Sequence, residues 1–236
     1  MPTALHPMLA ILTREPEPGR SKTRLAESVG ADAAAQLAAA FLVDVTAQTA
    51  SPGWRSVLFV EPPEAASKLS ELTGVVETQP QAAGSIGARM AAAAAQLVEQ
   101  NADAVLVVGS DIPLLGAVLI EDALRLLADH DVVFGPARDG GYYLVALGAA
   151  TLEALAFDAL FDDAAVPWST SAVLEASERI ARARGWSVAR IAARGDIDTS
   201  GDLEALQAEL GGAAPSMALR TRAVLASLKG ECASGE

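Results

Sequence analysis

The chain is punctuated by short apolar runs that read as strands. Met8 to Thr13 is the first, Arg55 to Glu61 the second, and Ala104-Val105-Leu106-Val107-Val108 the third and purest. Five consecutive apolar residues, three of them valine, fit a central parallel strand covered on both faces better than a half-exposed one. Further runs at Asp131 to Phe134, at Tyr142 to Leu147 and at Trp186 to Ala192 extend the series. Between them lie segments of helical character. Gly30 to Ala50 is alanine-rich, with Leu37, Phe41 and Val45 at helical spacing. Helices are also predicted over Ala65 to Thr73, from the glycines near residue 87 to Gln100, over Leu115 to His130, in part of Ala150 to Asp163, and over Ser200 to Leu210. Val166 to Ser171 opens another, capped by Ser169 or Thr170, with Trp168 as a hydrophobic staple. Pro62-Pro63 ends the second strand. The alternation predicts one α/β domain over residues 1–211. Gly211 to Pro215 breaks the last helix, and residues 212–236 form a tail with an amphipathic stretch from Ser216 to Leu228. That tail is read as an added helix or an interface, and an interface would make a homo-oligomer.

In open α/β sheets, ligands bind beyond the carboxyl ends of the strands, so the residues that follow each run matter most. After the third run comes Gly109-Ser110-Asp111-Ile112-Pro113. Asp111 there suits a hard divalent cation; the alternative is a helix cap by Ser110 or Asp111. After the first run comes Arg14-Glu15-Pro16-Glu17-Pro18-Gly19-Arg20-Ser21-Lys22-Thr23-Arg24, a proline-stiffened basic loop. It suits phosphate, the alternative being a solvated turn whose charges pair with Glu15 and Glu17. It matches neither the P-loop nor the dinucleotide GxGxxG pattern. Gly84, Gly87 and Arg89 lie in a loop that could wrap a base or ribose, or simply start a helix. Asp139-Gly140-Gly141 between apolar runs announces a hairpin. Both tyrosines of the chain follow it, and amphipathic aromatic rings line sugar and base pockets well. Asp196 and Asp198 follow the last run, with Asp198 or Thr199 available to cap the next helix.

Composition narrows the partners. With 236 residues and 51% hydrophobic content the chain has ample core for one domain. Thirty acidic against 17 basic residues, a formal charge of −13, repel nucleic acid and anionic membrane surfaces. A local basic cluster inside so acidic a chain is therefore informative. One cysteine and two histidines offer little to a disulfide framework or a zinc site. No signal-peptide pattern and no apolar stretch near eighteen residues is present, which predicts a cytoplasmic protein.

Six motifs in order, Arg14-x-Pro-x-Pro-Gly-Arg-x-Lys-Thr-Arg-Leu25, Gly84-x-x-Gly-x-Arg-Met90, Gly109-Ser-Asp-x-Pro113, Gly135-Pro-x-x-Asp-Gly-Gly-Tyr-Tyr-Leu144, Pro167-Trp-Ser-Thr170 and Asp196-x-Asp-Thr199, resemble the DUF2064 family. These GT-A-like transferases are associated with arsenosugar and radical-SAM/selenodomain gene contexts. The resemblance runs from about residue 8 to residue 206, with Ile112 as a departure where many relatives carry cysteine. It implies the nucleotide-diphospho-sugar transferase superfamily: a Rossmann-like three-layer α/β/α mixed sheet, a nucleotide over the first strand's loop and a divalent metal near the central acid. The expected reaction is metal-dependent glycosyl transfer from a nucleotide sugar to a small-molecule acceptor. Guanylyltransferase-like nucleotidyl transfer from a nucleoside triphosphate, releasing pyrophosphate, is the alternative, and a non-catalytic nucleotide-sugar-binding protein a further one. On this reading Arg14, Gly19, Lys22, Arg24, Gly84, Gly87 and Arg89 hold the nucleotide. Asp111 and Asp198 hold Mg²⁺ or Mn²⁺. Asp139 serves the acceptor hydroxyl, and Gly140, Gly141, Tyr142, Trp168, Ser169 and Thr170 shape the acceptor pocket.

Overall fold

The computed structural model describes residues 6–75 and 77–234. Seven strands form one mixed sheet: β1 (Pro7–Arg14), β2 (Arg55–Glu61), β3 (Thr78–Pro80), β4 (Ala104–Gly109), β5 (Val132–Pro136), β6 (Tyr142–Leu147) and β7 (Val188–Arg190). Their order is β3-β2-β1-β4-β6-β5-β7. The first four run parallel, β6 is antiparallel to both β4 and β5, and β7 is parallel to β5. The hairpin announced by Asp139-Gly140 is therefore present, with its second strand inserted next to β4.

The helices in chain order are α1 (Thr23–Val29), α2 (Ala31–Gln48), α3 (Ala66–Thr73), α4 (Ile86–Glu99), α5 (Ala117–Leu126), α6 (Ala149–Leu152), α7 (Val173–Ala183), α8 (Ser200–Gly212) and α9 (Leu219–Ser234). Alternate residues of a strand face opposite sides, and β1 serves both layers. Met8, Ala10 and Leu12 join a core with residues of α4 and α7, whereas Leu9 and Ile11 join one with residues of α2, α3 and α5. This is why its apolar run is unbroken.

A third, smaller core lies off the sheet. Leu25 of α1, Leu37 and Phe41 of α2, Ile197, Leu203, Leu206 and Leu210 of α8's approach and body, and Ala218 and Leu225 of the C-terminal segment meet there. The buried Asp44 accepts the Arg220 and Thr221 backbone N–H groups at 2.9 and 2.7 Å, and Gln48 Oε1 accepts that of Ala218 at 2.7 Å. The tail thus packs onto the body of the domain.

Three local expectations change. The basic loop ends in its own short helix, α1, separated from α2 by Gly30 at φ 85°. Neither Ser110 nor Asp111 caps a helix, because α5 starts at Ala117 after Gly116. Neither Ser169 nor Thr170 caps α7, which starts at Val173 after Ala172 and has no side-chain cap. Ser169 takes a left-handed φ of 63°, and the Thr170 hydroxyl donates to the Pro167 carbonyl at 2.7 Å, so this motif closes a turn ahead of the helix.

Candidate active site

Two cavities open at the carboxyl ends of β1 and β4. The first, about 330 Å³, is lined by Leu12, Thr13, Arg14, Arg20, Ser21, Lys22, Gln81, Arg89 and Asp111, among others. The second, about 250 Å³, is lined by Met90, Asp111, Asp139, Gly141, Tyr142, Tyr143, Trp168, Ser169, Thr170 and Asp196, among others. They share Leu12, Ile86, Gly109 and Asp111, and so form two lobes of one cleft divided at the end of the central strand.

Lys22 stands at that division. Its Nζ lies 2.8 Å from Asp111 Oδ2 and 2.7 Å from Asp198 Oδ1, and its side chain is only 6% exposed. Burial by itself lowers an ammonium pKa, but the two carboxylates outweigh it and hold Lys22 above its ordinary value. Two acids far apart in the sequence meet here because the Ile197 N–H donates to the Asp111 carbonyl at 3.3 Å, tying the α8 approach to the end of β4. Asp198 is free for this role because Thr199 caps α8. Thr199 Oγ1 accepts the Asp202 N–H, and the Asp202 carboxylate accepts the Thr199 and Asp198 N–H groups at 2.8 and 3.1 Å. Among the described residues no three His, Cys, Asp or Glu side chains converge to enclose a metal by themselves. Two carboxylates gripping a cation still constitute a hard-oxygen donor pair, the kind that holds Mg²⁺ jointly with substrate phosphates. The residues fit a metal on those terms.

The other basic residues of the first lobe are paired too. Arg14 and Arg89 both reach Glu61 at the end of β2, Arg14 at 3.2 Å, and Arg20 reaches Glu17 at 2.8 Å. Glu61 is partly desolvated, which raises its pKa, yet hydrogen bonds from the two guanidiniums bring it below the ordinary carboxylate value. Gln81 Nε2 donates to the Thr13 and Phe59 carbonyls at 2.6 and 2.9 Å, pinning the lobe's floor to β1 and β2.

In the second lobe Asp139 Oδ1 accepts the Gly141 N–H at 2.9 Å, which orients the carboxylate. The Tyr142 ring lies 5.1 Å from that of Phe134 and 6.4 Å, edge-on, from that of Trp168. Burial pushes the Tyr142 hydroxyl far up and that of Tyr143, which donates to the Ala192 carbonyl at 2.8 Å, up to about 12. Neither phenol exchanges protons near neutrality. Asp196, facing the same lobe, has a raised pKa, first from burial and then from repulsion by Asp198 and Asp139.

The structure therefore brings together Arg14, Lys22, Arg89, Asp111, Asp139, Asp198, Gly141, Tyr142, Trp168, Ser169 and Thr170 from the expected set. Gly19 and the exposed Arg24 line neither lobe; α1 has already turned away after Lys22. Gly84, Gly87 and Gly140 line neither lobe either, and the last two act by leaving room. A Cβ on Gly87 would sit 2.4 Å from the Phe161 carbonyl and 2.7 Å from Trp168 Nε1, and one on Gly140 (φ +91°) only 2.1 Å from the Ser171 carbonyl. Glu61, Gln81 and Asp196 are additions. Asp196 follows the last run and Glu61 closes the second, so both are legible as strand-end acids, whereas nothing in the local sequence marks Gln81.

A mixed sheet of this order, with its cleft at the ends of β1 and β4, is the fold of nucleotide-diphospho-sugar transferases and nucleotidyltransferases. A nucleotide-diphospho-sugar transferase, provisionally so assigned, from Desulfovibrio desulfuricans G20 is 27% identical with a TM-score of 0.86, each chain covered to 96%. A cytidylyltransferase from Leptospira borgpetersenii serovar Hardjo-bovis is 13% identical with a TM-score of 0.58, again at 96% of each chain. The 4-diphosphocytidyl-2C-methyl-D-erythritol synthase of Anaerococcus prevotii DSM 20548 is 10% identical with a TM-score of 0.56, over 89% of this chain and 100% of the other. No curated protein matches the sequence. Residues 42–170 match DUF2064, described as an uncharacterized protein conserved in bacteria, and the chain belongs to that family. Among the described residues no helix is long and apolar enough to cross a membrane.

Proposed function

We propose that this chain is a metal-dependent transferase that takes a nucleotide sugar in the basic lobe and passes the glycosyl group to an uncharged hydroxyl compound in the acidic lobe. One observation carries the reading: the two lobes meet at Asp111 with opposite chemistry. The first is lined by Arg14, Arg20, Lys22 and Arg89 against Glu61 and Asp111, a basic balance that suits a diphosphate. The second is lined by Asp111, Asp139, Asp196 and aromatic rings, with no lysine or arginine among its lining residues. A phosphorylated acceptor, which guanylyl transfer to a small molecule would require, finds no cationic side chain among the residues lining that lobe. A sugar-like hydroxyl needs none.

In the mechanism this supports, Arg14, Lys22 and Arg89 exchange their carboxylate partners for the donor's phosphates. Asp111 and Asp198 would hold Mg²⁺ or Mn²⁺, and the bound ion would offset charge on the departing diphosphate. Asp139, already oriented by Gly141, accepts the proton of the acceptor hydroxyl as its oxygen bonds to the anomeric carbon. The carbon–oxygen bond to the diphosphate breaks, and the electron pair leaves with the nucleotide.

A thermal-shift screen of nucleotide sugars and nucleoside triphosphates, with and without Mn²⁺, tests this. A ligand at a hundred times its Kd adds about 2.7 kcal/mol, roughly 5–10 °C for a domain of this size. Stabilisation by diphosphate sugars above triphosphates is expected. Triphosphate preference with pyrophosphate release would establish nucleotidyl transfer instead, and no response to either ligand class would overturn the assignment of the basic lobe.

A further inference from the structure

We propose that Lys22 is a resident counterion for the Asp111–Asp198 pair, and that the donor's phosphates and the divalent cation displace it together, so that neither binds well alone. The inference rests on the metal reading above and adds what this chain's own lysine does to it. The ammonium is seated between the two carboxylates at 2.7 and 2.8 Å and is 6% exposed, yet the same residue lines the donor lobe. It therefore has two places to go. Lys22 also holds a left-handed backbone (φ 49°, ψ 47°), a conformation disfavoured for a non-glycine residue, so its seat is maintained against local preference.

Consider each ligand arriving by itself. A divalent cation must evict a buried ammonium from two charge-assisted bonds, and that ammonium then has no anion to receive it. A diphosphate that draws Lys22 away exposes two carboxylates, with Asp196 and Asp139 close behind, to its own negative charge. Arriving together, the ligands remove both penalties: the phosphates receive the lysine, and the cation takes its place between the acids. The coupling is reciprocal, because linkage requires each ligand to raise the other's affinity by the same factor.

The sharpest consequence is counterintuitive for a residue of a ligand-binding loop: removing it should improve metal binding. Mn²⁺ alone, with no nucleotide, is titrated by the electron paramagnetic resonance signal of the free ion against four proteins: wild type, Lys22→Met, Asp111→Asn and the double variant. We expect Lys22→Met to bind Mn²⁺ at least tenfold more tightly than wild type, and Asp111→Asn to abolish binding in both backgrounds. Unchanged or weaker Mn²⁺ binding by Lys22→Met, with binding still lost in Asp111→Asn, overturns the counterion role and leaves the metal site standing. Mn²⁺ binding that ignores Asp111→Asn in both backgrounds removes the metal reading itself.

Wild-type protein supplies a reading that does not depend on a variant folding. Titrations of UDP, GDP and CDP, each with and without Mg²⁺ and corrected for the complex formed in solution, should show at least tenfold mutual enhancement for the base that binds. Independent affinities would sink the exchange.

Discussion

Asp198 and Thr199 are neighbours with separable jobs, and substituting each in turn tests the site against ordinary helix chemistry. Thr199→Ala removes a side-chain cap from α8. Losing an N-cap costs about 0.5–2 kcal/mol. The lower half of that range is expected, because the Thr199 Oγ1 contact to the Asp202 N–H is long at 3.3 Å and Asp202 still accepts the N–H groups of residues 198 and 199. About 1 kcal/mol corresponds to a drop of roughly 2–4 °C in Tm. Asp198→Asn touches no cap. It removes one charge from a pair whose acid is 43% exposed but whose lysine is only 6% exposed, and the loss stays small because Lys22 keeps Asp111 at 2.8 Å and the variant's amide oxygen can still accept its N–H. Part of even that loss is offset, because Asp198 repels Asp196. The Asp198→Asn variant should therefore melt close to wild type while losing Mn²⁺ affinity, and the Thr199→Ala variant should melt lower while keeping it. Urea denaturation and Mn²⁺ titration on the same preparations give both readings. If Asp198→Asn proves the less stable variant and retains Mn²⁺, Asp198 is structural and the two-carboxylate site fails.

Gly140→Ala should cost at least about 2 kcal/mol, since φ +91° alone disfavours any side chain and the new Cβ meets the Ser171 carbonyl at 2.1 Å; a urea midpoint within error of wild type would refute the packing role. Asp139→Asn should fold normally, because the amide oxygen can still accept the Gly141 N–H, yet lose transfer activity by about 10²-fold or more if this group takes the acceptor proton; retained turnover would remove it from catalysis. Asp196 has a folded-state pKa above its unfolded value, so wild type loses stability as pH rises from the ordinary aspartate range through that raised value. Asp196→Asn escapes the penalty, and should be more stable than wild type near pH 7 with the advantage vanishing on acidification. Parallel melts across pH would show no such change if the group sits comfortably.

Much of this arrangement was legible from residue order alone. A strand buried on both faces favours an unbroken apolar run, which made β1 and β4 conspicuous and put Arg14 at one strand end, Asp111 just past another, and Lys22 in the loop that follows β1. The edge strands β3 and β7 are three residues each and only partly buried; the run around β7 pointed to the right place, while β3 carried no apolar signature. α1 lacks a helical signature because only Leu25 of its seven residues is buried. The ionic pairings were the least visible. Lys22 and Asp198 are 176 residues apart, and Arg14 and Glu61 are 47 apart, distances over which only the folded topology selects partners. In the folded chain Arg20 pairs with Glu17, as the alternative reading of the loop allows, while Arg14 pairs with Glu61 and Lys22 with the two cleft aspartates.

The small core off the sheet has a consequence for how such a site can change. Leu25, shortly after Lys22, and Ile197, immediately before Asp198, are rooted in it together, whereas Ile112, beside Asp111, is rooted in the core under the sheet. Two of the three ionic groups therefore ride on one small raft, and the third is bolted to the hull. The C-terminal segment closes the raft through Ala218, just ahead of α9, and Leu225 within it. Changes of side-chain volume in this small core, far from the cleft, should shift the spacing between lysine and central acid. The geometry of the three ionic groups is thus open to adjustment by residues that touch none of them.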